Sequence, residues 1–471
     1  MFSNQFFTHA GQKAIGVSLH GTAHSADRPV GDPPCGTAHL EPQEVLIESL
    51  THEGRGFAHI NGKATFIDGA LPGERARFRY LRRRGRFDEG AVVEVLVPSP
   101  ERAEPRCPHF GVCGGCSLQH LDAEAQIRHK LAVLLEQLRH IGGVEPGTVL
   151  PPLTGPLWGY RRRARLGVKF VEKKGGALVG FREKQSRLLA DLAGCAVLHP
   201  SVGDRLPELR ALLGSLQAAR QIPQIEITVG DSYTALVFRH LQPLPDKDQE
   251  KLKDFGKAHQ MGIYLQPGGP DSVMPLWPEP PFPLSYRLLD DIEIQFQPTD
   301  FIQVNTEINR AMVERVLELL DPQPDEHVLD LFCGLGNFTL PLARRAGQIT
   351  GAEGEQGLIE RAKINAECNG IANAEFVQAD LAGPALDKLF FHAPYHKMLL
   401  DPPRTGALEI VSQLGFEKVE RVVYISCNPA TLARDTRVLV AGKGFRLVKT
   451  GVMDMFPHTT HVESIALFER H

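Results

Sequence analysis

Cys427 lies in the run YISCNPATLARD (424–435), 26 residues beyond the first residue of an Asp401-Pro402-Pro403-Arg404 run. A thiol at the end of an apolar, strand-like segment is in general often an inert core residue. Here an acidic turn precedes it, and Glu463 follows in HVESIALF. That set could add a thiolate to C6 of a pyrimidine, which makes C5 enolate-like and able to attack a methyl sulfonium. A base must then remove the C5 proton so that the thiol can leave, and Glu463 is the candidate. Upstream stands the glycine-rich turn DLFCGLGNFTL (330–340), where Gly334 and Gly336 allow close approach of a nucleotide-type cofactor. Glu353 ends the next strand-like segment, where a carboxylate accepts ribose hydroxyls; Asp380 follows AEFVQA and suits an adenine amino group. A lone GxG is weak evidence, but acids after successive strands strengthen it. The alternative of an NAD site lacks the third glycine of GxGxxG and leaves the DPP run unexplained. Arg404 stands where amine-methylating enzymes place an aromatic after the proline pair, so an exocyclic amine is a poor fit.

A second constellation is Cys107-x5-Cys113-x2-Cys116, with GVCGGC at its centre and Cys195 79 residues further on. The chain opens with no basic-then-apolar signal pattern, so clustered cysteines favour metal binding or catalysis over disulfides. Four thiolates could hold zinc or an iron–sulfur cluster. Zinc sites usually show two CxxC pairs; three clustered cysteines and a distant fourth favour a [4Fe-4S] cluster. The Cx3Cx2C triad of radical enzymes is not present. Unrelated buried thiols are the remaining alternative. Cys333 and Cys368 read as buried structural thiols, and Cys35 shows no partner.

The elements that must position these groups follow from pattern. A chain of 471 residues implies two to four domains. An apolar share of 42% without any run of 18 apolar residues argues for a soluble, cytoplasmic protein rather than a membrane one. Net charge is −4, but seven arginines fall between Arg75 and Arg86 and four more at Arg161, Arg162, Arg163 and Arg165. Such patches read as phosphate-binding surface, or as plain solvated strand faces. Residues 1–42 read as a mobile extension. Residues 43–101 hold five short alternating stretches, a small β-barrel whose Phe78, Tyr80 and Phe87 suit nucleic acid. Residues 102–297 read as a central α+β domain with a mostly antiparallel sheet, a helix over 122–141 that could pack on the C-terminal domain, and a proline-rich loop over 275–283. Residues 298–471 alternate strands and helices, an α/β Rossmann-like parallel, doubly wound sheet that binds ligands at its strand carboxyl ends. Thr306 is a candidate cap for its first helix.

The phrase GxGxAxxxGxxxFIDGALPGE (54–74) resembles a TRAM domain, an OB-like RNA-binding module. From about residue 43 onward the chain is similar to the RNA uracil-C5 methyltransferase family, with the domain set of its large-subunit ribosomal RNA branch. That resemblance implies a [4Fe-4S] cluster on Cys107, Cys113, Cys116 and Cys195. It implies S-adenosylmethionine held by Gln303 of the DFIQVN motif (300–305) and by Phe332, Asn337, Glu353, Asp380 and Asp401. It makes Cys427 the nucleophile and Glu463 the proton-abstracting acid. It implies 23S rRNA as partner, base flipping of the target uridine, no obligate protein partner and a monomer. The tRNA branch usually lacks both TRAM and cluster. Cytosine-C5 enzymes place their cysteines differently. A non-catalytic RNA-binding factor is the reading from another class. The family pattern has no counterpart to the 42-residue leader.

Overall fold

The computed structural model describes residues 41–381, 383, 394–413 and 418–470. The expected mobile extension, with Cys35, lies outside the described residues except for Glu41 and Pro42.

The N-terminal sheet has six strands, in the order Gln43–Leu46, Arg75–Arg83, Phe87–Val97, Lys63–Asp68, Gly56–Ile60 and Ser49–Leu50. Five were expected. The stretch EVLIESL divides because Ile47 turns fully into the core between its two strands. Phe78 and Tyr80, expected on a ligand face, are buried in that core with Ile47 and Ile67. Strand alternation explains this: in RARFRYLRR the apolar side chains point in while arginines point out. Phe87 stays at the surface edge, packed on Phe66 at 5.5 Å. The arginine run is partly neutralised at home, since Arg75 and Arg77 pair with Glu44, Arg83 with Asp88 and Arg84 with Glu89.

The central sheet runs Met274–Trp277, Met261–Gln266, Thr234–Arg239, Gln224–Val229, Arg163–Val171 and Gly176–Gly180. Only the Thr234–Arg239 and Met261–Gln266 pair is parallel. The proline-rich loop begins later than expected, because residues up to Trp277 form an edge strand, where Pro275 is tolerated.

The C-terminal sheet has eight strands: Ala374–Gln378, Gln348–Glu353, His327–Leu331, Lys397–Leu400, Arg421–Ser426, Glu463–Arg470, Phe445–Met453 and Thr148–Val149. The first five are mutually parallel; Glu463–Arg470 then runs antiparallel, so that its first residues lie beside the Ser426–Cys427 strand end. Alternating strand residues feed two cores. Val328, Leu399 and Val423 face helix Thr306–Leu320, whereas Leu329, Leu400 and Val422 face helix Pro429–Lys443. Asn305, not Thr306, caps the first of these helices: its Oδ1 accepts from Ile308 N–H at 3.3 Å, and Thr306 is the first helical residue.

The helix expected over 122–141 is α-helical over Ala123–Gln137 and continues as a π turn, Leu138–Gly142, closed by Gly143 at φ +66°. Asp122 caps it through Glu124 and Ala125 N–H. Its Ile127, Val133, Leu134 and Leu138 are buried with Leu331, Tyr424 and Leu432 of the C-terminal sheet and helix. Cys333 is buried, but Cys368 is exposed: the inward face of its helix runs through Ile359, Ala362 and Ala366, and Cys368 points away. Among the described residues no helix is long and apolar enough to cross a membrane.

Candidate active site

The expected groups gather at the carboxyl ends of the parallel strands. Asp330 is the last residue but one of strand His327–Leu331, and the chain then turns through Phe332, Gly334 and Gly336 at φ +67°, +54° and +92°. A Cβ on Gly336 would meet Leu340 at 3.1 Å, so this turn needs glycine on both counts. Asp330 is buried. Its Oδ2 accepts from Thr339 Oγ at 2.5 Å, and its Oδ1 has no hydrogen-bond partner among the described residues. Burial pushes its carboxyl up to about 7. Glu353, one strand over, accepts from Gly334 N–H at 3.2 Å and Gly354 N–H at 2.7 Å. Asn337 exchanges amide hydrogen bonds with Asn309 at 2.8 and 3.0 Å and accepts from Tyr286 Oη at 3.0 Å. Gln303 is half-buried just before the Asn305 cap, Phe332 packs on the apolar core below the turn, and Asp380 is exposed after its strand.

Asp401 follows strand Lys397–Leu400, and its N–H donates to Leu331 O at 3.3 Å. It keeps a partial opening to solvent, yet the surrounding protein pushes its carboxyl up to about 8, with Glu463 and Asp330 adding to the effect. The next strand ends at Cys427. Asn428 caps the helix that follows, through Ala430 N–H, and its Nδ2 donates to Arg404 O at 3.1 Å. The helix start thereby fixes the Asp-Pro-Pro-Arg turn. Arg404 Nη2 donates to His461 Nδ1 at 3.2 Å; guanidinium is only a donor, so His461 carries its proton on Nε2, 3.4 Å from Glu463 Oε1. The Cys427 sulfur, a His461 ring nitrogen and a Glu463 carboxylate oxygen lie within 4.8 Å of one another. Burial, with Glu463 and Asp401 adding to it and Arg404 opposing, pushes the Cys427 thiol up to about 12.

Cys427 opens into a cleft of about 950 Å³ walled by His52 from a turn of the first sheet, Gly115 from the cysteine segment, Arg161, Arg404 and His461. Of the four central arginines only Arg161 lines it. Arg162 pairs with Asp231 and Arg165 with Glu226, while Arg163 donates to Thr299 O. Sequence reasoning passed over His461, although the run FPHTTHVES places it two residues from Glu463. Asn309 was also passed over, and no local signal marks it.

Cys107, Cys113, Cys116 and Cys195 come together, each half-buried and within electrostatic reach of the others. Gly115 N–H donates to Cys113 Sγ at 3.4 Å; Val197 and Leu198 N–H point at Cys195. Among the described residues, no three of these sulfurs lie within 4.8 Å of one another. A tetrahedral zinc with bonds of about 2.3 Å would draw its sulfurs to about 3.8 Å apart.

Comparison with known proteins places this architecture. Residues 289–471 match the family model described as tRNA (Uracil-5-)-methyltransferase, and residues 39–79 match the TRAM domain. The chain is 58% identical over 432 residues to a Nitrosococcus oceani protein named 23S rRNA (uracil(1939)-C(5))-methyltransferase RlmD, covering 91% of this chain and 96% of that one. A Methylococcus capsulatus protein of the same name is 52% identical over 431 residues, covering 91% and 97%. The crystal structure of Pyrococcus abyssi tRNA (uracil-54, C5)-methyltransferase with S-adenosyl-L-homocysteine matches at TM-score 0.68 and 24% identity, over 90% of this chain and all of that one, which shows a shared fold. With identities above one half across nine-tenths of its length, the chain belongs to the RNA uracil-C5 methyltransferase family, among the RlmD proteins.

Proposed function

We infer that this chain transfers a methyl group from S-adenosylmethionine to C5 of a uracil in 23S rRNA, position 1939 being the one for which its relatives are named. The observation that carries the chemistry is the meeting of Cys427, His461 and Glu463 within 4.8 Å, with Cys427 and His461 lining an open cleft.

S-adenosylmethionine, when bound, supplies an electrophilic methyl on a cationic sulfur. The residues present suit it. Asp330 Oδ1 is a buried acceptor without a partner among the described residues, Asp330 and Asp401 both have raised carboxyls, and the glycine turn leaves the backbone bare. Gln303, Phe332, Glu353, Asp380 and Asp401 would hold it, with Asn337 anchored behind them on Asn309. Cys427 is a neutral thiol before the substrate arrives, so its proton leaves to the open cleft as Sγ bonds to C6. C5 then becomes the nucleophile. Glu463, steadied by His461, takes the C5 proton once C5 carries the methyl, and the C6–Sγ bond breaks. The ring must present its face to Cys427, which requires an unstacked base.

A [4Fe-4S] cluster on the four cysteines is supported by the spacing of three clustered thiols with a distant fourth, and by backbone N–H donors that meet Cys113 and Cys195. The TRAM sheet and Arg161 serve as RNA walls of the cleft. A ribosomal RNA substrate supports the reading of a cytoplasmic protein, and nothing in this chemistry requires a second subunit.

The test is methyl transfer from labelled S-adenosylmethionine to 23S rRNA lacking uridine methylation, with the product mapped by mass spectrometry. One 5-methyluridine in that RNA is expected. Cys427→Ala should abolish transfer and retain RNA binding. Incorporation into tRNA instead would overturn the substrate, and none into either RNA would favour a binding factor.

A further inference from the structure

The loop that carries His461 and Glu463 is fastened to the segment directly after the third clustered cysteine. Backbone N–H groups of Ser117 and Leu118 both donate to His458 O at 2.9 Å, using both lone pairs of one carbonyl. Ser117 Oγ accepts from Thr460 N–H at 3.2 Å. Gln126 ties both partners: its Oε1 accepts from His458 N–H at 2.9 Å, and its Nε2 donates to Leu118 O at 3.1 Å and Leu121 O at 2.8 Å. Trp158 stacks on the His458 ring at 4.0 Å, and Tyr160 Oη donates to Pro457 O at 3.1 Å. The TRAM sheet closes the joint, since a Cβ on Gly54 would lie 2.7 Å from Thr460 and 2.9 Å from Leu118. His458 itself is buried at φ +65°, a conformation that persists only where its surroundings over-determine it.

We propose that the segment from Cys116 to Leu121 is the platform that sets the position of Glu463, with Ser117, Gln126 and His458 as positioning residues for removal of the C5 proton. The four-cysteine site then controls the rate of the bound complex rather than RNA affinity. This rests on the reading of Cys427 and Glu463 given above. Cys116 is the fixed end: whatever orders its thiol orders the two N–H groups that follow. The cleft-lining His52 and Arg161 make none of these hydrogen bonds; Arg161 meets the same loop only through the Phe456 ring, 5.8 Å from its guanidinium. A base displaced by about 1 Å costs on the order of a hundredfold in rate, so a brace of this kind acts through geometry.

The test compares Ser117→Ala/Gln126→Leu with the unsubstituted full-length protein, each loaded with iron as judged by visible absorbance. With S-adenosylmethionine present, Cys427 addition and methyl transfer on RNA carrying 5-fluorouracil give a stable adduct, because C5 then bears fluorine and methyl and has no proton for a base to remove. On RNA carrying 5-tritiated uracil, tritium release reports proton removal. The double variant should bind RNA and form the fluorouracil adduct within about twofold of the parent, while tritium release in a single turnover slows about tenfold or more, since the four hydrogen bonds named above are lost and the loop relaxes. Protein stripped of its iron should follow the same pattern, and its Trp158 emission, read in a Trp277→Phe background, should shift. Equal slowing of adduct and tritium release, unchanged release, or loss of RNA affinity at an unchanged bound rate would each overturn the platform. Absence of adduct in the unsubstituted protein would instead remove the Cys427 reading, and the platform with it.

Discussion

The two raised carboxyls at the strand ends make cofactor binding a proton-linked event. At pH 7 a group titrating at about 8, as Asp401 does, holds its proton in about ten of every eleven molecules, and Asp330 at about 7 in about half. Both are raised first by burial, and each adds to the other or to a neighbouring acid. A sulfonium cation beside them favours the ionised forms. S-adenosylmethionine should therefore release about one proton per molecule bound at pH 7, declining to none by about pH 10. Its affinity should tighten by up to about tenfold per pH unit between about pH 6 and 8. S-adenosylhomocysteine, whose sulfur is neutral, should release fewer protons and show a flatter profile. Calorimetric titration in buffers of different ionisation enthalpy reads the proton count directly, and Asp401→Asn should lower it. The sign for stability follows. Both folded values lie above the unfolded carboxylate range, so their contribution is complete below about pH 4 and is lost as pH rises through 7 and 8. The ligand-free protein should lose stability over that window, and the cationic cofactor should restore it. Binding heat independent of buffer, or equal proton release for the two ligands, would refute the reasoning.

Glu463→Gln should slow turnover by about 10²- to 10⁴-fold and leave methylated RNA bound to Cys427, visible as a band that survives denaturing gels; free product at the parent rate would remove Glu463 from its role. Lys130→Met should cost about 3–5 kcal/mol in denaturant unfolding, because Lys130 Nζ sits buried 2.7 Å from Asp454 and its removal strands that carboxylate; a loss under about 1 kcal/mol would mean that water reaches the site. Phe78→Ala should cost about 3–5 kcal/mol in stability while RNA affinity, measured well below the transition, stays within about twofold, as fits a core ring rather than a stacking platform. Arg161→Ala should weaken RNA binding and reduce the salt slope by about one, and an unchanged slope would take Arg161 off the phosphate path.

Much of the site is written locally and was legible. Glycines after an apolar strand, acids after successive strands and a cysteine after another need only strand periodicity to fall at one end of one sheet. Several of the errors concern which way a side chain faces, and others where an element begins or ends. In RARFRYLRR the aromatic residues alternate with arginines, so one face had to be buried, and composition drew attention to the wrong one. Asn305 and Thr306 are both able to cap, and only backbone geometry separates them. Cys368 lies one turn-fraction off its helix's inward face. His461 was within sight of Glu463 in sequence, but its tie to Arg404 joins two distant loops, and no pattern carries that.

The eighth strand of the C-terminal sheet, Thr148–Val149, is laid beside Lys449 and Thr450 by a part of the chain made before the whole central sheet. The helix Ala123–Gln137 likewise waits for Tyr424 and Leu432. During synthesis its greasy side is therefore uncovered until the last strands leave the ribosome, a window in which it invites chaperones or aggregation. Closing so long a loop adds little at equilibrium, since that entropy grows only with the logarithm of length, but it delays the step that completes the molecule. A fragment beginning at residue 298 would expose the matching groove, and supplying 123–153 in trans should restore it to a soluble, cooperative unit.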